Sequence, residues 1–163
     1  YRMLHILPRF DYRMISAKSP EDLFLILDSV TNTRKFAFTI SADTEFIGTI
    51  SPPNFRIMSK INYRNSFLPV IEGTICAREG RTIVDLRFRL HWFVRIFLTV
   101  WFGMTGFSFL IGLLLVLTER TAKPALLLTA ASFLLVGQVL VRSAFYLPAK
   151  KAAARLEELL GRP

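Results

Sequence analysis

The sequence predicts a membrane α+β protein: an N-terminal helix plus a small antiparallel β-sheet head, a two-helix transmembrane hairpin, and a C-terminal amphipathic helix. Three observations lead there. Two long uncharged apolar runs occupy the C-terminal half, Ile96–Leu117 and Pro124–Val141. Between residues 34 and 90, apolar and polar residues alternate with a period of two, as in strands with one buried and one wet face. After residue 148 the pattern changes again, to leucines at helical spacing.

Composition agrees with this class. The chain has 163 residues, one domain's worth, of which 52% are hydrophobic, 20% charged and fifteen are Phe. That is too apolar for disorder and too short for a large multi-domain enzyme. Basic residues outnumber acidic ones, 21 to 12, for a net charge of +9. A single cysteine, Cys76, excludes an internal disulfide framework and a Cys-based zinc site.

The head is expected over residues 1–90. Tyr1–Pro20 carries Arg2, Arg9, Arg13 and Lys18 and no apolar run of signal-peptide length, so the membrane-seeking segments are expected later in the chain. A helix is expected at about 20–31. Ser19 serves as its N-cap, Pro20 sits at the first helical position, and Glu21 and Asp22 face the positive dipole end. Leu23, Phe24, Ile26, Leu27 and Val30 supply its apolar face. Strands follow within 34–90: Phe36–Ile40, Phe46–Ile50, Phe55–Tyr63, Ile71–Arg78 and Arg81–Leu90. Ser51-Pro52-Pro53-Asn54 and Glu79-Gly80 supply two of the turns. The last strand runs into the first apolar segment through His91-Trp92-Phe93, leaving no slack for a flexible linker.

The hairpin is expected over 92–147, with spans at about 93–117 and 124–147 and a loop at 118–123. The 22 uncharged residues Ile96–Leu117 reach roughly 33 Å as a helix, enough to cross a hydrocarbon core of about 30 Å. Helices buried in a soluble core would show a polar face over such a length. Arg78, Arg81, Arg87, Arg89, Arg95, Arg142, Lys150, Lys151 and Arg155 flank the hairpin on one side, against Arg120 and Lys123 in the loop. The positive-inside rule then puts both termini on the cytoplasmic side. Residues 148–163 form the C-terminal helix, with Pro148 marking a break from the span and Gly161 ending it. This helix is expected to dock on the sheet; lying on the bilayer or meeting a partner are the alternatives.

Chemistry is sparse. There is no Gly-x-Ser-x-Gly, Walker loop, His-Glu-x-x-His or Gly-x-Gly-x-x-Gly motif. Asp85, Glu72 and Glu79 have no partner that spacing identifies, and no catalytic or metal-ligating residue is assigned. His91 is the weak candidate for a cofactor contact, at the membrane boundary. No cofactor is expected; pigment or quinone contact would require membership of an energy-converting complex. Nucleic acid is not an expected partner, because the charge is spread: thirteen basic against nine acidic residues precede Trp92, and eight against three follow. Membrane lipid is an expected partner, met at Arg87, Arg89, Arg95, Arg142, Lys150 and Lys151, where anionic head groups attract juxtamembrane cations. Other membrane protein subunits are expected as well. Gly103, Gly106, Ser108, Gly112, Ala130 and Gly137 are small enough for close helix packing, and the hairpin alone would not use them all.

The stretches Tyr63-Arg-Asn-Ser-Phe-Leu-Pro69 and Leu90-His-Trp-Phe-Val94 resemble a group of small, uncharacterised bacterial membrane proteins. In that group such a stretch precedes a Gly-bearing strand, and a Leu-His-x-Phe-Val stretch enters a membrane hairpin. The resemblance covers the middle third of the chain. It implies this architecture, in a bacterial cytoplasmic or internal membrane, and no activity. This chain has Trp92 where the group tends to have Pro. The function expected is a non-catalytic, membrane-anchored interaction module, an accessory subunit of a larger membrane complex. The alternative is a lipid- or small-ligand-binding sheet domain at the membrane surface. An enzyme on a membrane substrate would need a polar constellation that the sequence lacks.

Overall fold

Ser19 opens the first helix as its neighbours require: its Oγ accepts from the Asp22 N–H at 3.1 Å, and Pro20 occupies the first turn. In the computed structural model, which describes residues 7–32, 44–62, 65–78, 80–118 and 125–161, this helix is α1 (Pro20–Val30). The remaining elements are β1 (Arg9–Ser16), β2 (Thr31–Asn32), β3 (Phe46–Ser51), β4 (Asn54–Ser59), β5 (Val70–Arg78), β6 (Arg81–Arg89), α2 (Trp92–Thr118) and α3 (Ala125–Leu160). The class is α+β: one six-stranded sheet with three helices, two of them long and apolar enough to cross a membrane.

The strand order is β1-β6-β5-β4-β3-β2. The sheet is mixed rather than wholly antiparallel as expected, because β2 runs parallel to β3. Thr31 follows Val30 directly, so β2 leaves α1 without a turn. Residues 33–45 then give a connection of the length that a parallel pairing needs. The strand expected at Phe36–Ile40 lies outside the described residues. From β3 to β6 the chain is a meander, turned at the cis Pro52-Pro53 peptide and at Gly80, whose φ is +75°.

Two corrections concern strand number and length. The sequence pattern does not predict β1. It pairs antiparallel with β6 from Arg9↔Arg89 to Ser16↔Thr82 and forms one edge of the sheet. Its alternation is inverted at the end: Ser16 points in and is buried while Ile15 is exposed, which blurs the period. β4 stops at Ser59, and Lys60–Asn62 are not strand as expected, while Tyr63 lies outside the described residues.

A third correction concerns Pro148. The C-terminal amphipathic helix is not a separate element: α3 runs unbroken through Pro148 for 36 residues. Proline removes the N–H that would bond the carbonyl four residues back, Ala144. In this structure Asn65 supplies the donor instead, its Nδ2 lying 3.2 Å from the Ala144 oxygen, while its Oδ1 accepts from the Phe67 N–H at 3.0 Å. With the freed carbonyl satisfied, the helix continues into the head.

That continuation completes the core. Ala149, Ala152, Ala153, Leu156 and Leu160 are buried against the sheet beside Leu23 and Leu27 of α1. The three alanines let the helix approach closely, and each leucine so buried contributes about 1.5–3 kcal/mol. The inward faces of the strands supply Phe46, Phe55, Ile57, Ile71, Ile75, Val84, Leu86 and Phe88. At the end of α3 the orphan carbonyls find partners at the end of β1 and just beyond it: Ser16 Oγ donates to Leu160 O at 2.6 Å, and Lys18 Nζ approaches Leu159 O at 3.5 Å. Arg155 binds both Glu45, ahead of β3, at 2.6 Å and Glu158 on its own helix at 2.7 Å. Head and hairpin are therefore one piece, joined through α3.

Candidate functional site

Strand alternation leaves the second face of the sheet uncovered, and register turns it into two ordered rows. Asp11, Arg87, Glu72, Arg56 and Thr49 stand side by side on β1, β6, β5, β4 and β3; next to them lie Arg13, Asp85, Thr74, Asn54 and Ser51. Neighbouring charges alternate in sign, as cross-strand pairs favour. Arg13 pairs with Asp85, Arg56 with Glu72 at 3.6 Å, and Arg89 with Asp11 at 2.7 Å. A shallow cleft of about 670 Å³ opens over the middle of this face, bordered by Ser51, Asn54, Arg56, Glu72, Asp85 and Arg87. The carboxylates of Glu72 and Asp85, which the sequence leaves without partners, thus each face an arginine on the adjacent strand. Glu79 lies outside the described residues. Cys76 is exposed on the same face.

Underneath, the sheet is held closely at two glycines. A Cβ on Gly73 would lie 2.0 Å from the Phe55 ring, which covers it, and one on Gly48 would meet the Arg56 carbonyl oxygen at 2.1 Å. Elsewhere the core face is covered by α1 and α3, and Phe46, Phe55 and Phe88 are buried beneath them.

At the head–hairpin corner His91 has a specific task. Its carbonyl accepts from Arg95 N–H at 3.0 Å, and its Nδ1 receives the Phe93 N–H at 3.4 Å, so it caps α2. Its ring lies 5.9 Å from that of Trp92. Among the described residues no group of three or more His, Cys, Asp or Glu side chains gathers around a common point.

The remaining residues singled out in the sequence fall into two groups. Arg89 and Arg95 border the start of α2, with Arg87 one step farther up β6. Arg142 donates its Nε to Gln138 Oε1 at 3.2 Å, and Lys150 and Lys151 are exposed one turn above the apolar stretch of α3. Of the small residues, Gly112, Ala130 and Gly137 lie where α2 and α3 meet. A Cβ at Gly137 would come within 2.5 Å of the Trp101 ring, and one at Gly112 would lie 3.6 Å from the Leu127 backbone. Gly103 and Gly106 point elsewhere, with nothing among the described residues within 4 Å of the place a Cβ would take, and Ser108 Oγ donates to Met104 O of its own helix. Large apolar side chains around them are bare, among them Ile96, Val100, Phe107 and Leu114.

A second opening lies where the loop after β4 meets α3. Asn65, Phe67, Leu140, Ala144, Leu147, Pro148 and Lys151 border a groove of about 550 Å³. Beyond Pro148 and Lys151 it adjoins a smaller hollow of about 260 Å³ floored by Phe46 and Ala152, with Glu45 and Arg155 at its rim. Arg155 holds the Glu45 carboxyl below its ordinary value. Tyr63 and Arg64, the first residues of the Tyr63–Pro69 stretch, are outside the described residues; Asn65 gives that stretch a structural role that spacing did not reveal. Compared with protein families, curated proteins and solved structures, the chain matches none of them.

Proposed function

We propose that the protein is a non-catalytic, membrane-anchored interaction module, an accessory subunit that holds a rigid sheet at the cytoplasmic surface of a larger membrane assembly. The observation that carries this reading is the bareness of the hairpin. Only 11% of the most apolar window of α2 and 17% of that of α3 is buried, at mean hydropathies of 2.1 and 1.6. Core helices of a soluble protein are covered; these await lipid or other helices. The outward Gly103–Gly106 face supports the presence of a neighbouring subunit, since the hairpin itself packs through Gly112, Ala130 and Gly137. The open sheet face, with its alternating charges, is the surface such a module would offer to a partner.

The test is extraction of the full chain from native membranes in a mild detergent, followed by sizing and mass spectrometry. A stoichiometric larger complex is expected. A particle containing one copy alone, stable through purification, would refute the accessory-subunit reading, and recovery in the soluble fraction without detergent would refute the anchor.

A further inference from the structure

We infer that the groove between the loop after β4 and α3 is a binding site for one phospholipid with an anionic head group. The inference rests on the membrane-spanning reading of the hairpin. Leu140, Ala144, Leu147 and Lys151 recur at spacings of four, three and four on α3, so they form one stripe of the helix. From Leu140 to Lys151 is eleven residues, about 16 Å at 1.5 Å per residue, the reach of a large part of an acyl chain. The stripe is ordered, with exposed leucines below and Lys151 above, and Phe67 from the loop after β4 also lines the groove.

Charge complementarity names the head group. Lys151 is the one charged residue on the groove among the described residues, it is exposed, and it makes no ion pair. The other polar groups of the lining are engaged, Asn65 with Ala144 O and Phe67 N–H, and Ser143 Oγ with its own helix at Val139 O. Glu45 in the adjoining hollow is neutralised by Arg155. Depth agrees as well. Trp92 and Tyr146, residue types that gather at the membrane interface, both lie at the head–hairpin boundary: Trp92 opens α2, and Tyr146 O–H reaches Arg9 O, on the residue paired with Arg89 at the end of β6, at 3.3 Å. Lys151 would therefore meet a phosphate at head-group depth while the leucines contact its chain.

A diffuse basic rim would attract anionic lipid too, so the test separates a site from a rim by comparing neighbours. The full chain is reconstituted in nanodiscs of phosphatidylcholine with and without phosphatidylglycerol, extracted, and the retained lipid quantified by mass spectrometry. Retention of phosphatidylglycerol is expected for the parent chain and should fall about five-fold for Lys151→Ala, the weight of one basic residue at an anionic surface. Lys150→Ala, one position off the stripe, removes the same charge from the rim and should lower retention clearly less than Lys151→Ala does. Ser143→Trp, which fills the groove from an exposed position without altering charge, should lower retention as Lys151→Ala does. Equal effects of the two lysine variants, or full retention in Ser143→Trp, would overturn the site while leaving the membrane anchor standing. A photo-crosslinking residue at Leu147 is expected to yield a phospholipid adduct; a polypeptide adduct would overturn the assignment. Failure of the chain to enter nanodiscs at all would overturn both readings.

Discussion

The continuity of α3 rests on a substitution of one donor for another, and a double-mutant cycle reads it directly. Pro148 has no N–H for the Ala144 carbonyl, and Asn65 Nδ2 takes its place at 3.2 Å. A neutral, partly buried hydrogen bond of this length contributes about 0.5–1.5 kcal/mol net. Asn65→Ala also loses the bond from Phe67 N–H to Oδ1 at 3.0 Å, so the single variant should cost about 1–2 kcal/mol. Pro148→Ala restores an N–H for Ala144 and makes one of Asn65's two bonds redundant. In that background Asn65→Ala should cost about 1 kcal/mol less, whereas Pro148→Ala alone should be neutral or stabilising, since proline is costly inside a helix. Asn65→Asp separates the two bonds without the cycle: it keeps the acceptor for Phe67 and puts a carboxylate against the Ala144 oxygen, so it should be at least as harmful as alanine. The assay is thermal unfolding of the full chain in mild detergent, where about 1 kcal/mol corresponds to roughly 2–4 °C at this size. Equal losses for Asn65→Ala in both backgrounds, within the ~0.3–0.5 kcal/mol of ordinary additivity, would refute the account of how α3 passes its proline.

Three further outcomes follow from contacts already described. Gly137→Leu should force α2 from α3 at Trp101, at a cost of about 1–3 kcal/mol, while Gly103→Leu should be tolerated; crosslinking between cysteines placed on the two helices reads the separation, and equal behaviour would refute the packing. Gly73→Val should displace the Phe55 ring and destabilise the head by a similar ~1–3 kcal/mol, and Phe55→Leu should recover part of that loss in the double variant; no recovery would refute the clash. Glu45 has its folded pKa lowered by Arg155 from an ordinary 4.5, so its contribution is present above that value and is lost as the pH falls through the lower, folded one. The pair is partly exposed, so the contribution should stay below about 1 kcal/mol. A pH series of melting temperatures below 4.5 should be flatter for Arg155→Leu than for the parent chain; parallel curves would refute the coupling.

Much of the fold was legible because local patterns and the final contacts agree. Ser19-Pro20-Glu21-Asp22 reads as a helix start and is one, because capping involves only residues within one turn. The alternation over Val70–Arg89 reads as a hairpin and is one, because Gly80 tolerates the positive φ of its turn. The two apolar runs form long helices for the same reason: nothing in them interrupts the intrahelical ladder. Where local patterns were weak, distant residues decided. β1 keeps its period to the end, but a polar Ser16 inside and an apolar Ile15 outside disguise it, and Ser16 is accepted inside because its Oγ donates to Leu160 O, 144 residues away. The candidate sites were less legible still. Spacing offered Glu72 and Asp85 as unpartnered acids, and only register placed Arg56 and Arg13 beside them.

The sequence by itself determined α1, the meander from β3 to β6, the two long apolar helices and the basic, apolar character of the chain, since these depend on periodicity and composition. Tertiary structure decided what each surface is for. Gly112 and Gly137 became hairpin contacts and Gly103 an outward face, though all three read alike in a list of small residues. Pro148 reads locally as a stop, and it is passed because a side chain 83 positions earlier donates to the carbonyl that proline leaves free. A helix break is an unsatisfied hydrogen bond before it is a change of direction, and the partner for that bond can come from anywhere the fold brings near.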